Sequence, residues 1–160
     1  MSKLFKVLLL FLIVIFIAIL ISACWLIFKK SLNPNLFLSM VKINNIKISV
    51  EVAKTASEKT QGLSNRNKLN QNVGMIFVYQ KTDYYQIGMK NMNFSIDVIW
   101  IDENYQIIDI DKNISPDSYP ASFKPSKPVK YFIEIAAGFC DANKIKIGNK
   151  VEFSELINPS

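Results

Sequence analysis

The sequence predicts a mainly β or α+β protein: one small, barrel-like domain with one or two short helices, preceded by an N-terminal transmembrane helix. Three observations predict it. Residues 7–28 carry no charged side chain, most of the remaining chain reads as short β runs separated by turn residues, and only two brief stretches suit a helix. A chain of 160 residues is long enough for an anchor and one domain. The expected organisation is an anchor or signal segment over 1–30, a linker over 31–41, a compact β-rich domain over 42–155 and a tail over 156–160.

Val7 to Phe28 has one clearly polar side chain, Ser22. As a helix such a run spans roughly 33 Å, close to the hydrocarbon thickness of a bilayer. Lys3 and Lys6 precede it and Lys29 and Lys30 close it, so the positive-inside rule gives no orientation. The favoured reading is a retained signal anchor with the domain outside the cytoplasm, periplasmic or on the cell surface. The bilayer is then a partner through residues 7–28. Ile21-Ser22-Ala23-Cys24 also looks like a lipobox, which makes Cys24 an alternative lipidation site, although Trp25-Leu26-Ile27-Phe28 continues the apolar run where lipoproteins turn polar. Cleavage to a free protein is the third reading.

The chain has 19 basic and 13 acidic residues, net +6; without the four flanking lysines 15 basic residues remain, net +2. A nearly neutral domain is a poor nucleic-acid partner. Histidine is absent from the whole chain, which excludes serine–histidine and cysteine–histidine catalysis and most zinc sites. Cys140 is the one cysteine of the domain, so no internal disulfide forms, and a lone thiol reads as a buried hydrophobe.

The elements follow in order. Ile43, Ile46, Ile48, Val50 and Val52 alternate like a half-buried strand. Thr55 stands three residues before Glu58, a capping-box signature that starts a helix over 56–62, and Gly62 ends it. Met75-Ile76-Phe77-Val78 reads as a buried strand and Tyr84 to Met89 as a weaker one. Val98-Ile99-Trp100-Ile101 is apolar on both faces, as a covered central strand is. Asp102-Glu103-Asn104 then turns the chain into Gln106–Ile110, with Asn104 expected in the left-handed conformation. Lys112 to Pro128 holds Pro116, Pro120, Pro125 and Pro128 and reads as a long loop, a surface crossover or a cover for a site. A strand over 129–135, a helix over 136–144 and a last strand over 145–153, bent at Gly148-Asn149, complete the domain.

Six segments now carry a resemblance. Gly62-Leu63-Ser64-Asn65-Arg66, Gly74-Met75-Ile76-Phe77, Met89-Lys90-Asn91, Ile96 to Asp102, Tyr131 to Glu134 with Ala137-Gly138, and Gly148-Asn149-Lys150-Val151 resemble, in order and spacing, the prokaryotic family known as domain of unknown function 192. The resemblance runs from about residue 48 to 153. It implies a single small β-rich domain, often exported, and implies no reaction, cofactor or catalytic residue. Gly88 departs from the family pattern, which has an aromatic there; Met92 and Ser95 replace a threonine and a proline. The loss of a large side chain at 88 either opens a pocket or marks a site that has drifted.

The sharpest polar cluster is Arg66, Lys90, Asn91, Asp97 and Glu134. A buried charge is costly unless paired, so one reading has the two acids paired with Arg66 or Lys90, or accepting backbone donors. The other reading is a polar pocket in which Arg66, Lys90 and the Asn91 amide receive a small anionic or carbonyl group. Asp97 and Glu134 act as an acid–base pair, in a hydrolase or lyase, only if their environments split their pKa values. Met75, Met89 and Met92 read as core in preference to a copper(I) site, and Asp109 and Asp111 as an exposed acidic edge in preference to a calcium site. The expectation is an uncharacterised envelope protein that binds a small ligand or an envelope partner without catalysis and without a cofactor. The alternatives are the enzyme and a purely structural domain.

Overall fold

The structure is a computed structural model whose described residues are 13, 15–22 and 39–154. The chain divides into two units, Met1–Leu36 and Phe37–Ser160. In the first, residues 13 and 15–22 are helical, with Phe16, Ile19 and Ile21 exposed. Most of the 7–28 run, Cys24, residues 31–38 of the linker and the 156–160 tail lie outside the described residues. Among the described residues no helix is long and apolar enough to cross a membrane.

The second unit is mainly β. Its strands are β1 (Ser39–Ile43), β2 (Ile46–Ala53), β3 (Val73–Asp83), β4 (Ile87–Gly88), β5 (Ile96–Ile101), β6 (Ile107–Ile114), β7 (Ser122–Phe123), β8 (Val129–Ala136) and β9 (Val151–Phe153). Two short helices, α1 (Ala56–Gln61) and α2 (Phe139–Ala142), complete it with a 3-10 turn at Pro116–Ser118. Seven strands form one sheet in the order β6-β5-β8-β3-β2-β1-β9, and β4 pairs with β7 apart from it. The sheet curls until its outer strands meet at one end, where Gln106 bridges Lys150 and the Val151 amide donates to the Tyr105 carbonyl at 2.9 Å. The result is a half-barrel, and the barrel-like expectation holds in that form.

Several elements differ from the sequence reading for identifiable reasons. The sheet begins at Ser39, inside the expected linker. The alternating run from Ile43 to Val52 is two strands, because Asn44 takes φ 55° and turns the chain back on itself. At the β5–β6 turn the left-handed residue is Tyr105 (φ 61°), not Asn104. Asp102 Oδ1 accepts from the amides of both Asn104 and Gln106, which leaves Tyr105 to absorb the turn. Its ring is held by packing against Tyr131 at 5.7 Å and Phe153 at 5.2 Å. The proline-rich stretch is shorter than expected: β6 runs on to Ile114, and β7 interrupts the remainder by pairing with β4. The last two elements shrink to a four-residue helix and a three-residue strand.

The capping box is present as read. Thr55 accepts from the Glu58 amide, and Glu58 accepts from the Thr55 amide at 2.8 Å.

Each face of the sheet carries its own core. Inside the curl lie Val41, Ile48, Val50, Ile99, Ile133 and Ile135, closed by Phe139, Cys140 and Ile145 from α2 and the turn after it. The opposite face carries Met75, Phe77, Val98, Trp100 and Phe132, covered by Leu63, Ile87, Met89 and Met92. All six residues of β5 are buried because both faces are covered. Burying a Val, Ile, Leu or Phe side chain contributes about 1.5–3 kcal/mol, so both layers are needed.

Candidate functional site

Strand parity decides which polar residues can meet. Along a strand successive side chains point to opposite faces, and residues paired directly across share one. Glu134 pairs with Met75 and with Val98, and Met75 pairs with Glu51. Glu51, Met75, Glu134 and Val98 therefore form a row on the second face. Asp97 pairs with Ile135 and points into the curl. The expected acid–base pair of Asp97 and Glu134 is divided by the sheet itself.

Asp97 is fully buried, and its carboxylate accepts from three backbone amides: Asn113 at 2.9 Å, Gly138 at 3.2 Å and Cys140 at 2.9 Å. Gly138 caps α2 with φ 81° and has no side chain, so the strand-borne Asp97 supplies the missing acceptor. Burial and the neighbouring Asp97 together push the Cys140 thiol up. Asp97 thus bonds β6 and the start of α2 to β5, well satisfied and closed to a ligand.

Glu134 is the opposite case. It is 7% exposed, and among the described residues no hydrogen bond reaches its carboxyl. Burial pushes it up to about 8, against the pull of the Arg66 guanidinium. Near neutral pH it is therefore mostly an uncharged acid. It lines a cavity of about 160 Å³ with Lys59, Gln61, Gly62, Phe77, Gln86 and Phe132. Phe77 and Phe132 stack at 4.3 Å and form its apolar wall. Gly62 ends α1 with φ 47° and ψ −134°, a conformation that glycine adopts readily and other residues avoid. A methyl group there would lie 3.4 Å from the Phe77 ring and 3.9 Å from Glu134 Oε2, so the glycine keeps the acid accessible.

Lys59 and Tyr79 also line a second, open cleft of about 440 Å³, together with Lys54, Gln80, Lys81 and Tyr85. Lys59 Nζ lies 4.0 Å from the Tyr79 ring centre, and the Tyr79 ring also stacks on Tyr85 at 3.4 Å and meets Phe132 at 6.1 Å. Burial lowers the Lys59 pKa, with Glu58 opposing; burial, then Tyr85 and Glu134, raise the Tyr79 hydroxyl to about 12.

The other expected site residues fall around this cavity, not in it. Arg66 forks onto Glu51, with Nη1 to Oε1 at 2.5 Å and Nη2 to Oε2 at 2.7 Å. That hydrogen bond, chiefly, raises its pKa. Lys90 and Asn91 are exposed and line neither space. Their contribution is through backbone: the Lys90 carbonyl accepts from Ser64 Oγ at 3.1 Å, and the Asn91 carbonyl accepts from the Asn65 amide at 2.8 Å. Asn91 sits at φ 59°, which asparagine tolerates. The Met89–Asn91 turn so holds the 62–65 segment over the cavity. Asp109 and Asp111 are not a bare acidic edge: Asp109 accepts from the Ser126 amide at 2.8 Å, and Asp111 from Trp100 Nε1 at 2.7 Å.

Sequence reasoning missed Glu51, Lys59, Tyr79, Gln61 and Gln86. Glu51 carried a usable signal: it stands between Val50 and Val52 on a half-buried strand and shares its face with the buried Ala53, so a partner was to be expected. Lys59 carried none, since a lysine on a short amphipathic helix is ordinarily solvated.

Three of the segments that carry the family resemblance meet at the cavity, through Gly62, Phe77 and Glu134. The comparisons agree with that resemblance. No curated protein matches the chain. Among solved structures, the chain is similar to a protein from Sinorhizobium meliloti 1021 described as a "putative transcription regulator". That pair has 27% identity and a TM-score of 0.68 over 72% of this chain and 92% of that one. It is likewise similar to a protein of unknown function from Novosphingobium aromaticivorans DSM 12444, at 26% identity and a TM-score of 0.67 over 71% of this chain and 83% of that one. The family model DUF192, described as Uncharacterized ACR, matches residues 39–153, well over half of the sequence, and the chain belongs to that family.

Proposed function

We propose that this protein is an envelope binding module: a DUF192 domain held outside the cytoplasm by its apolar N-terminal segment, which takes up a small ligand at the Glu134 cavity and does not transform it. The observation that carries this reading is the Glu134 carboxyl, buried, open to a cavity and without a hydrogen bond. Among the described residues no fully buried side-chain oxygen or nitrogen lacks a partner, so the Glu134 oxygens stand open to the cavity and can exchange water for a ligand with a matching donor or acceptor. Binding is favoured over catalysis because the cavity's two aliphatic hydroxyls are engaged with backbone: Thr60 Oγ1 donates to the Ala56 carbonyl at 2.8 Å and Ser64 Oγ to the Lys90 carbonyl at 3.1 Å. Histidine is absent, Cys140 is buried inside the curl, and Asp97 is spent on backbone amides on the other face.

The test uses the full chain in detergent micelles, screened for thermal shifts with small organic anions. A ligand that raises Tm in the wild type, but not in Glu134→Leu or Lys59→Ala, supports the reading. A panel that leaves Tm unchanged and a Glu134→Leu variant more stable than the wild type would return the domain to a purely structural role. Anchoring is tested on the mature N-terminus by mass spectrometry: an intact Met1-containing chain supports the signal anchor, and an acylated Cys24 the lipoprotein.

A further inference from the structure

We propose that the ligand is a hydroxylated organic anion, no larger than a monosaccharide derivative, that binds in two parts: its uncharged hydroxyl end on Glu134 in the inner cavity, its charged group at Lys59 and Lys81 in the outer cleft. The inference rests on reading the Glu134 cavity as a binding site. It adds the ligand's chemistry and its direction of entry.

Size comes first. About 160 Å³ is room for a small ring or a short polyol, not a nucleotide; sites for whole drug-sized ligands run to roughly 300–1,000 Å³. The inner cavity therefore takes one end of a ligand, and the adjoining 440 Å³ cleft takes the rest.

Polarity sets the direction. The inner lining is mostly polar, through Gln61, Ser64, Gln86 and Glu134, with a smaller apolar part from Phe77 and Phe132, and its one lysine, Lys59, is shared with the outer cleft, so the inner space suits a hydroxylated end better than a charged one. A protonated carboxyl offers one donor and an acceptor, the complement of a hydroxyl. Two amides stand beside it with unused capacity. Gln61 Nε2 donates to the Ser64 carbonyl at 3.2 Å, which leaves its oxygen free; Gln86 Oε1 accepts from Ser122 Oγ at 3.4 Å, which leaves its NH2 free. Among the described residues the outer cleft is lined by Lys54, Lys59 and Lys81 and by no acidic residue. Lys59 is the hinge between the two spaces, since it lines both. A cationic amine would be a natural partner for Glu134, but it would have to pass these lysines. At an effective dielectric constant near 20, two like charges 4 Å apart repel by about 4 kcal/mol.

The experiment titrates the full chain in micelles with four probes, following the amides of Gly62, Ser64 and Tyr79 by NMR. Glycerol 3-phosphate carries both halves, inorganic phosphate and glycerol one each, and ethanolamine the opposite charge. Glycerol 3-phosphate should bind at least roughly ten-fold tighter than either half. Lys59→Ala should remove the advantage of the phosphate and leave glycerol unaffected. Glu134→Leu should reduce glycerol 3-phosphate to the affinity of phosphate, while Glu134→Gln, which keeps a donor and an acceptor, should retain the hydroxyl advantage. Phosphate binding as tightly as glycerol 3-phosphate, or ethanolamine binding more tightly, overturns this inference and leaves the binding site standing. No probe moving the three amides overturns both. Repeating the titration in phosphatidylcholine nanodiscs with and without phosphatidylglycerol separates the sources: shifts on adding the lipid alone assign a headgroup, and shifts with the free probe alone assign a soluble ligand.

Discussion

Asp97→Asn should destabilise the domain strongly, and the structure gives the size. The carboxylate is fully buried and accepts from the amides of Asn113, Gly138 and Cys140. Hydrogen bonds to a charged group are each worth about 1.5–3 kcal/mol. Asparagine keeps one acceptor oxygen. If that oxygen stays toward Asn113 and Gly138, the new NH2 faces the Cys140 amide donor to donor. One bond is then lost and one buried amide is left unsatisfied, for a cost of about 2–4 kcal/mol. Asp97→Ala strands all three amides and should cost more, about 4 kcal/mol or above, a large share of the 5–15 kcal/mol that holds a typical domain together. Urea unfolding of the full chain in micelles, followed by tryptophan fluorescence, reads this directly because Trp100 lies on the same strand as Asp97. At a slope of about 1–3 kcal/mol per molar, the Asp97→Asn midpoint should fall by about 0.7 M or more. A midpoint within about 0.3 M of wild type would refute the assignment of Asp97 as the acceptor that ties β6 and α2 to β5. The comparison with Glu134→Gln sharpens the test. Both acids are buried on adjacent strands, yet the Glu134 substitution breaks no hydrogen bond and should cost under about 1 kcal/mol.

Three further outcomes follow from the same geometry. The Glu134 carboxyl lies at about 8 in the folded chain against 4.5 unfolded, so between these values the folded state holds a proton that the unfolded state has released. Its contribution to stability is complete below about pH 4.5 and is lost as pH rises through 8; Glu134→Gln should flatten that part of a stability-against-pH curve. Arg66→Ala should cost about 0.5–2 kcal/mol, because the Glu51 pair is only partly buried, and should move the Glu134 titration upward in carboxyl-labelled NMR, since Arg66 holds it down. Gly74→Ala puts a methyl 2.7 Å from the Glu134 carbonyl and should cost about 2 kcal/mol or more, whereas Gly88→Ala meets only the Ala121 carbonyl at 3.5 Å and should change the melting temperature little.

Much of the fold was legible because local rules wrote it. The Thr55–Glu58 capping box, the doubly apolar run at Val98–Ile101 and the turn residues near Asn104 are each read within a few residues. Errors came where a local preference met a distant contact. Tyr105 rather than Asn104 took the left-handed turn because its ring packs on Tyr131 and Phe153, far along the chain. The proline-rich loop gained a strand because Ser122 and Phe123 found Gly88 and Ile87.

The sequence by itself determined the composition of the N-terminal run, the exclusion of imidazole chemistry, the β-rich class and the family, and it put Glu134 among a few candidate residues. It could not rank Asp97 against Glu134. Both are acids in apolar strands, and their positions alone do not reveal that β5 and β8 lie side by side with Asp97 opposite Ile135 and Glu134 opposite Val98. That register is a contact between segments more than thirty residues apart, and it sends one carboxylate to three waiting amides and the other to an open cavity. Whether a buried charge is satisfied depends on what covers it, and only the tertiary structure brings the cover.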